Sequence, residues 1–167
     1  MLPWRRGPLT SLDHVYFDKG FFPALLPGES ETVPEVTPEK RQAVSVTLEN
    51  SYDDWSVAQL AKALGKQSDA AYFGKLADNY RNVFDAGIGL MAPKSADGKW
   101  IPGFDPKLGG GQGGRDYFTE VNSWIYTFNV QHDPSCRPQQ AKLRRKRALA
   151  LQASRYGSCF LNVDRRA

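Results

Sequence analysis

Residues 47–62 read TLENSYDDWSVAQLAK and lie within the most regular apolar pattern of the chain. The pattern follows Thr37-Pro38-Glu39, where a proline in the first turn favours a helix start. It repeats at spacings of three to five residues and stops at Gly65, a residue suited to a helix C-terminus. We therefore predict a helix over about residues 39–64. Its apolar positions are Val44, Leu48, Tyr52, Trp55, Leu60 and Leu64.

A second helix is predicted to begin after Ser68, a favourable N-cap residue. The residues that follow place apolar side chains at i, i+3, i+4 and i+7, and only Gly74 opposes a helix. With a short turn at Gly65-Lys66-Gln67, the two helices form a predicted αα-hairpin, which indicates an all-α chain. The apolar positions of the second helix are Phe73, Leu76, Ala77, Tyr80, Val83 and Phe84.

Irregular segments surround these helices. Residues 1–15 give no periodic signal, and the aromatic-rich residues 16–26, which must be buried, are followed by a loop. Residues 85–115 are rich in glycine and proline and are predicted to be a long loop carrying a small hairpin at Asp97-Gly98. Residues 122–130 are predicted to form a buried helix or strand.

A glycine cluster, GGGQGG, occupies residues 109–114 and formally fits the G-x-G-x-x-G pattern. It does not lie in a βαβ unit, so a nucleotide site is not expected. We expect these glycines to let the backbone approach a ligand or another segment closely.

The charge of the chain is divided between two regions. Of 22 Lys+Arg and 18 Asp+Glu residues, nine basic and one acidic residue lie from Pro134 onward, a net charge of +8. Residues 1–133 keep 13 basic and 17 acidic residues, a net charge of −4. Both cysteines lie in the basic tail, so the acidic body has no thiol for a disulfide or a thiolate metal site.

Two partner classes, membranes and nucleic acids, are not expected from these features. No run approaches the roughly 20 apolar residues of a membrane span, and the first residues lack the apolar stretch of a secretory signal. The basic run KLRRKR at residues 142–147 is of a kind that binds nucleic-acid phosphates, but few aromatic residues accompany it. Nucleic acid is therefore not the expected partner, and the compartment stays unknown.

The acidic pair Asp53-Asp54 lies beside Tyr52 and Trp55 within an amphipathic helix. An aromatic face that stacks on a pyranose, together with carboxylates that accept hydroxyl hydrogen bonds, is typical of carbohydrate sites. The alternative is that either aspartate faces solvent on the polar side of the helix.

Glu120 lies between the glycine cluster and an aromatic segment. Partial desolvation there would raise its pKa and suit it to act as a general acid, with Asn122 orienting it. The alternative is an exposed glutamate at a helix start, where the helix dipole favours an acid. His132-Asp133 similarly fits a catalytic base pair, a set of metal ligands or a structural hydrogen-bonding pair.

Five ordered blocks of sequence resemble glycoside hydrolase family 92, which contains calcium-dependent exo-α-mannosidases. The resemblance covers residues 16–133, and the region from residue 134 lies outside it. The blocks are TLENSYDDWSVAQLAK at 47–62, NYRNVFD at 79–85, residues 91–100 ending in DGKW, FDP at 104–106, and EVNSWIYT at 120–127, followed by His132-Asp133.

The resemblance implies a central fragment of an (α/α)₆ toroid that hydrolyses terminal α-linked mannose with inversion. Glu120 then matches the general acid. Asp53, Asp54, Trp55, Asn122 and Trp124 are the candidate substrate-binding or supporting residues. The general base and the calcium ligands are expected downstream of the segment matched by His132-Asp133, so the resemblance assigns no metal ligand within this chain and implies that it is inactive alone.

The departures from the family pattern are local until the tail begins. Ser56 stands where the family commonly has cysteine, and Val121 stands where it often has glycine, and neither change removes a reacting group. After Asp133 the family pattern stops at the point where the charge changes. One hypothesis explains both observations: residues 134–167 are translated out of frame, which the nucleotide sequence read in all frames would test.

A competing hypothesis is a small non-catalytic protein, with an acidic carbohydrate-binding body or a basic tail that contacts nucleic acid. Family members are often periplasmic or secreted. A location for this chain would rest on that analogy alone.

Overall fold

The computed structural model describes residues 11–36 and 40–134. The predictions for residues 1–10, for the helix start at 37–39 and for most of the basic tail lie outside the described residues. Within them, the predicted all-α class is confirmed, since helices dominate and the sheet has two short strands. The elements are α1 (Ser11–Lys19), α2 (Ala43–Ala63), α3 (Gln67–Leu76), β1 (Phe84–Asp85), β2 (Leu90–Met91) and α4 (Ser123–Tyr126), with 3₁₀ turns at Pro34–Val36, Ala77–Val83 and Gly110–Gln112.

Helix α1 corrects the prediction that residues 1–15 are irregular, because it begins at Ser11. Its buried apolar side chains are the i, i+4 pair Leu12 and Tyr16. The helix ends at Gly20, whose φ of 74° places it in the left-handed region and whose N–H donates to the Tyr16 carbonyl at 2.8 Å. Tertiary burial of two side chains, rather than a long amphipathic pattern, therefore supports this helix.

Helix α2 begins four residues later than predicted. Lys40 and Gln42 both have positive φ, at 67° and 47°, which is incompatible with a continuous right-handed helix. The N–H groups of the first turn have no partner within the helix and donate to another part of the chain. Ala43 donates to the Asp116 carbonyl at 3.1 Å, and Val44 donates to the Tyr117 carbonyl at 3.0 Å. A backbone segment therefore caps this helix, in place of a side chain.

The C-terminus of α2 is as predicted. Gly65 has a φ of 71°, and its N–H donates to the Lys62 carbonyl at 3.1 Å. The Lys66 N–H donates to the Ala61 carbonyl at 2.8 Å, which completes a Schellman motif. The tight turn returns the chain at once into α3, so the predicted αα-hairpin is confirmed.

Helix α3 begins at Gln67, so Ser68 lies inside the helix and is not its N-cap. After Leu76 the chain continues as a 3₁₀ helix, which keeps Phe73, Ala77, Tyr80 and Val83 buried against α2. The predicted apolar face is therefore correct although the backbone changes from α to 3₁₀ halfway along it.

Two apolar clusters form the core, and both include residues from the first turns of α2. The first cluster joins α2, the 3₁₀ helix Ala77–Val83 and the aromatic residues before and within α4. Its members are Phe21, Val44, Leu48, Tyr80, Val83, Met91, Phe118, Tyr126 and Val130. The second joins α1 to the start of α2, through Leu12, Tyr16, Phe22, Ala24, Val33, Ala43 and Ile101. The aromatic-rich residues 16–26 are therefore largely buried, as predicted.

The loop over residues 85–115 contains the predicted small hairpin. Lys94 and Trp100 form an antiparallel bridge around Asp97-Gly98, and Gly98 has a φ of 87°. Just before it, β1 and β2 pair antiparallel. The Lys94 carbonyl also accepts from the Ala24 N–H at 2.7 Å, which ties this loop to the N-terminal segment.

The prediction of a buried helix over residues 122–130 is correct for one face only. Helix α4 has one turn, and Tyr126, Thr127 and Val130 are buried around it. Its other face is exposed, with Trp124 at 45% and Phe128 at 49% of their maximum. In the part of the chain that the structure describes, no helix has the length and apolar character needed to cross a membrane.

We predict that Gly20→Ala destabilises the chain more than Gly28→Ala does. A Cβ at Gly20 would lie 2.4 Å from Asn82 Nδ2 and 2.6 Å from Asn79 Oδ1, in addition to the cost of about 1–2 kcal/mol for a left-handed alanine. Gly28→Ala, with a φ of 82° and open space around it, measures the backbone cost alone.

The matched opposite is Gly74→Ala, in the exposed interior of α3 with nothing near its Cβ. It should stabilise the chain by about 0.5–1 kcal/mol because alanine favours a helix over glycine. Urea midpoints by circular dichroism should rank Gly74→Ala above the unsubstituted chain, then Gly28→Ala, then Gly20→Ala. Equal midpoints for Gly20→Ala and Gly28→Ala would contradict the close contact.

Candidate functional site

Glu120 lies in a short bend between Phe118, which is fully buried in the core, and α4. Its side chain is exposed, so the described residues do not desolvate it as the sequence had led us to expect. Its backbone is held, because its carbonyl accepts from the Gly111 N–H at 3.3 Å. The bend therefore presents a carboxylate at the surface on an anchored main chain.

The glycine cluster packs directly against this bend. A Cβ at Gly110 would lie 2.3 Å from the Thr119 carbonyl oxygen and 2.5 Å from that of Phe118. A Cβ at Gly109 would lie 3.1 Å from the Glu120 carbonyl oxygen. The expectation that these glycines allow a close backbone approach is confirmed, and the segment they approach is the one that carries Glu120.

Thr119 joins the bend to the start of α2. Its N–H donates to Ser45 Oγ at 3.0 Å, and its hydroxyl donates to Gln42 Oε1 at 2.6 Å. Its carbonyl accepts from Arg115 Nη1 at 3.3 Å. Every polar group of Thr119 is therefore hydrogen-bonded.

Asn122 is the N-cap of α4, and its side-chain amide bonds to Ile125 and Lys107 rather than to Glu120. Its Oδ1 accepts from the Ile125 N–H at 3.4 Å, and its Nδ2 donates to the Lys107 carbonyl at 3.2 Å. The amide therefore fixes the start of α4 and the loop before the glycine cluster. Two residues later, Trp124 is 45% exposed.

Asp53 and Asp54 have opposite environments. Asp53 is exposed, whereas Asp54 is only 4% exposed and accepts from the Tyr16 hydroxyl at 3.0 Å. Burial and the neighbouring Asp54 carboxylate raise the pKa of Tyr16, so the phenol stays protonated and donates. Asp54 thus joins α2 to α1, and Asp53 has the environment expected of a solvent-facing aspartate.

Trp55 belongs to an aromatic group that includes Tyr52 and His132. The Tyr52 and Trp55 rings stack with centroids 5.8 Å apart, and the His132 ring lies 6.0 Å from the first and 6.3 Å from the second. Tyr52 within this group and Asp53 beside it are exposed. An exposed aromatic ring next to a carboxylate is typical of carbohydrate sites.

His132 and Asp133 anchor the end of the described chain to the 3₁₀ helix. His132 Nε2 donates to the Ala77 carbonyl at 2.9 Å, and Asp133 accepts from the Tyr80 hydroxyl at 2.9 Å and from Arg81 Nη2 at 3.0 Å. Burial and the bond to Asp133 raise the pKa of Tyr80, which keeps it a donor. These contacts fit the alternative in which His132 and Asp133 form structural hydrogen bonds.

The candidate residues form two groups that attach to α2 at different levels. The Glu120 bend is tied to Ser45 through Thr119, whereas Asp54 lies nine residues further along the same helix. At a rise of about 1.5 Å per residue, these attachment points are about 14 Å apart. Glu120, Asn122 and Trp124 therefore belong to one group, and Asp53, Asp54 and Trp55 belong to another.

A calcium site does not fit either group. In residues 11–36 and 40–134, no three His, Cys, Asp or Glu side chains come together where they could hold a metal ion. The one adjacent acidic pair diverges, because Asp54 turns into the core towards Tyr16 while Asp53 is exposed. Calcium requires several convergent oxygen ligands, which this pair does not supply.

The sequence did not identify four residues that the structure connects to these groups: Tyr16, Gln42, Ser45 and Thr119. Tyr16 and Asp54 are 38 positions apart, and Thr119 lies 74 positions from Ser45. Periodicity and spacing report on neighbours within one element, so they carry no signal for such contacts. The only local sign was the position of Thr119 directly before Glu120.

The glycosyl hydrolase family 92 catalytic domain matches residues 6–136, which include both groups. The chain belongs to this family. The resemblance inferred from the ordered sequence blocks is thereby confirmed. A comparison with curated proteins gave no match.

Solved family 92 structures share the fold. The chain is similar to an inverting mannosidase from Bacteroides thetaiotaomicron VPI-5482, at 30% identity and a TM-score of 0.59, over 89% of this chain and 19% of that one. It is also similar to a family 92 α-mannosidase from Bacteroides thetaiotaomicron, at 28% identity and a TM-score of 0.64, over 87% and 17%. That α-mannosidase in complex with mannoimidazole gives 24% identity and a TM-score of 0.66, over 89% and 19%, which supports the fold alone.

This family 92 chain therefore spans less than a fifth of the length of these relatives. The described residues contain one long helical hairpin, so the expected toroid of six hairpins is not seen as a closed ring in residues 11–36 and 40–134.

We predict that Tyr16→Phe destabilises the chain by about 1–3 kcal/mol, because it removes a donor from the buried Asp54 carboxylate. Tyr72→Phe is the matched control: its ring is 48% exposed, and its hydroxyl should contribute less than about 0.5 kcal/mol. Urea unfolding of both variants at neutral pH measures the difference. A Tyr16→Phe midpoint equal to that of Tyr72→Phe would show that the buried pair does not stabilise the fold.

Proposed function

We propose that this chain is part of the catalytic domain of a family 92 α-mannosidase that hydrolyses terminal α-linked mannose with inversion. The observation that carries the proposal is the catalytic-domain match over residues 6–136, which includes Glu120. One similar structure is described as an inverting mannosidase, and another contains mannoimidazole. The substrate class is accordingly an α-mannoside glycan.

In this proposal Glu120 is the general acid that protonates the departing sugar oxygen. Its exposed carboxylate on a fixed backbone is consistent with that role, since the acid must reach a substrate atom while its main chain stays in place. Inversion also requires a second carboxylate, about 6.5–9.5 Å away, that activates water on the other face of the sugar. We assign that base to a part of the domain downstream of His132-Asp133.

The remaining candidates receive separate roles. Trp124 is proposed to line the sugar site beside Glu120, and Asn122 to support it by capping α4. Asp53 and Trp55 are proposed to contact sugar at the second group, and Asp54 to support them from the core through Tyr16. Calcium is proposed to act in the complete domain, with ligands other than the described residues of this chain.

We predict that the purified 167-residue chain releases no mannose from an α-linked mannoside, with or without calcium. The reason is that Glu120 faces solvent and the proposed base is not in the chain. Release is measured with a coupled mannose assay beside a complete family 92 mannosidase as the positive control. Calcium-dependent mannose release by the purified chain would overturn this prediction.

The role of Glu120 is tested in a chimera in which residues 16–133 replace the matching segment of a complete family 92 mannosidase. We predict that Glu120→Gln lowers kcat for a methyl α-mannoside by about 100-fold to 10,000-fold, the usual contribution of a general acid. For a 2,4-dinitrophenyl α-mannoside the loss should be much smaller, because this leaving group departs without a proton.

The matched control in the chimera is Glu29→Gln, which changes an exposed carboxylate that accepts from the nearby Leu26 N–H at 2.8 Å. It should leave both substrates unaffected. An unchanged kcat for Glu120→Gln with the methyl glycoside, or equal losses with both substrates, would exclude Glu120 as the acid.

A further inference from the structure

The bend that carries Glu120 is anchored on each side of it. Before it, Phe118 is fully buried and its ring stacks on Tyr126 with centroids 5.4 Å apart. After it, Ser123 is fully buried and its hydroxyl donates to the Met91 carbonyl. Two core contacts, five residues apart, therefore fix the ends of a segment whose central side chain is exposed.

Within this segment, Thr119 forms hydrogen bonds through its N–H, its hydroxyl and its carbonyl. Its N–H donates to Ser45 Oγ at 3.0 Å, and its hydroxyl donates to Gln42 Oε1 at 2.6 Å. Gln42 directly precedes α2, and Ser45 lies in its first turn. The two bonds therefore hold the residue before Glu120 against the start of α2.

Gln42 itself holds a constrained conformation. Its φ of 47° lies in the left-handed region, which a non-glycine residue adopts only when its surroundings impose it. Its N–H donates to the Arg115 carbonyl at 3.2 Å, so its backbone and its side chain both bind the segment that leads to Glu120. This two-point attachment keeps the Gln42 amide oriented towards Thr119.

The bend also lies directly against the backbone of Gly110. Any side chain there would overlap the Thr119 and Phe118 carbonyls, at 2.3 Å and 2.5 Å from an added Cβ. The bend is thus enclosed between the start of α2 and the glycine cluster, with the Glu120 side chain left exposed.

We infer that Thr119 is a positioning residue for Glu120, acting through its hydroxyl bond to Gln42 and its backbone bond to Ser45. This inference rests on the proposed role of Glu120 as the general acid. A proton donor must lie within about 0.5 Å of its productive place, and a misplacement of about 1 Å costs on the order of 100-fold in rate. Thr119 supplies that placement without touching substrate.

The experiment uses the same chimera and compares Thr119→Val with Thr119→Ser. Valine keeps the shape but removes the donor to Gln42, whereas serine keeps the hydroxyl. We expect Thr119→Val to lower kcat for the methyl α-mannoside by about 10-fold to 100-fold with KM changed less than about threefold. Thr119→Ser should restore kcat to within about threefold of the unsubstituted chimera.

Leaving-group dependence separates positioning from a loss of folded protein. A misplaced acid slows the methyl glycoside more than the 2,4-dinitrophenyl glycoside, whereas a smaller active fraction slows both equally. Thr32→Val, at an exposed threonine whose N–H alone is bonded, is the matched control and should change neither substrate. Equal losses with both substrates, or no loss for Thr119→Val, would overturn the positioning role.

A second measurement uses the 167-residue chain directly. Amide hydrogen exchange at Thr119 and Glu120 should be faster in Thr119→Val than in Thr119→Ser, while exchange in the second half of α2 stays unchanged. Unchanged exchange at both amides would overturn the inference whether or not the chimera is active. If Glu120→Gln has no effect in the chimera, the proposed function fails; if only Thr119→Val has no effect, the positioning role fails and the function stands.

Discussion

The capping of α2 by backbone carbonyls is the interaction on which the rest of the structure depends. The Ala43 and Val44 N–H groups donate to the Asp116 and Tyr117 carbonyls, in place of an N-cap side chain. The first N–H groups of the longest described helix are therefore satisfied by residues more than 70 positions away in the sequence. The same contact sets Phe118 into the core and brings Thr119 to Gln42 and Ser45.

This dependence explains how much of the fold the sequence could predict. The hairpin and its Gly65 end follow from local rules, because a Schellman motif and an apolar face are properties of a single segment. The start of α2 does not, because its carbonyl caps come from distant sequence. Ser68 failed as an N-cap for a related reason: the Schellman turn already brings the chain into α3 at Gln67.

The candidate site also has features that the sequence could predict and features that depend on distant contacts. The ordered blocks, and Glu120 within them, are visible in the sequence because they are contiguous. The different environments of Asp53 and Asp54 are not, since only the distant Tyr16 hydroxyl distinguishes one from the other. Glu120 was expected to be partly desolvated because aromatic residues follow it, but Phe118 and Tyr126 stack inward on each other and leave the carboxylate exposed.

Several large apolar side chains are exposed at two places in the described residues. They are Leu60 and Leu64 at the end of α2, and Trp124, Ile125 and Phe128 in or just after α4. The chain spans less than a fifth of the length of its solved relatives, and in the proposed enzyme these side chains would pack against other parts of the domain. In the proposed enzyme, this chain fixes the backbone of the acid, because the contacts that hold Thr119 and Glu120 lie within residues 42–120. Desolvation of the carboxylate and the opposing base must come from surfaces that cover the exposed side of that same bend.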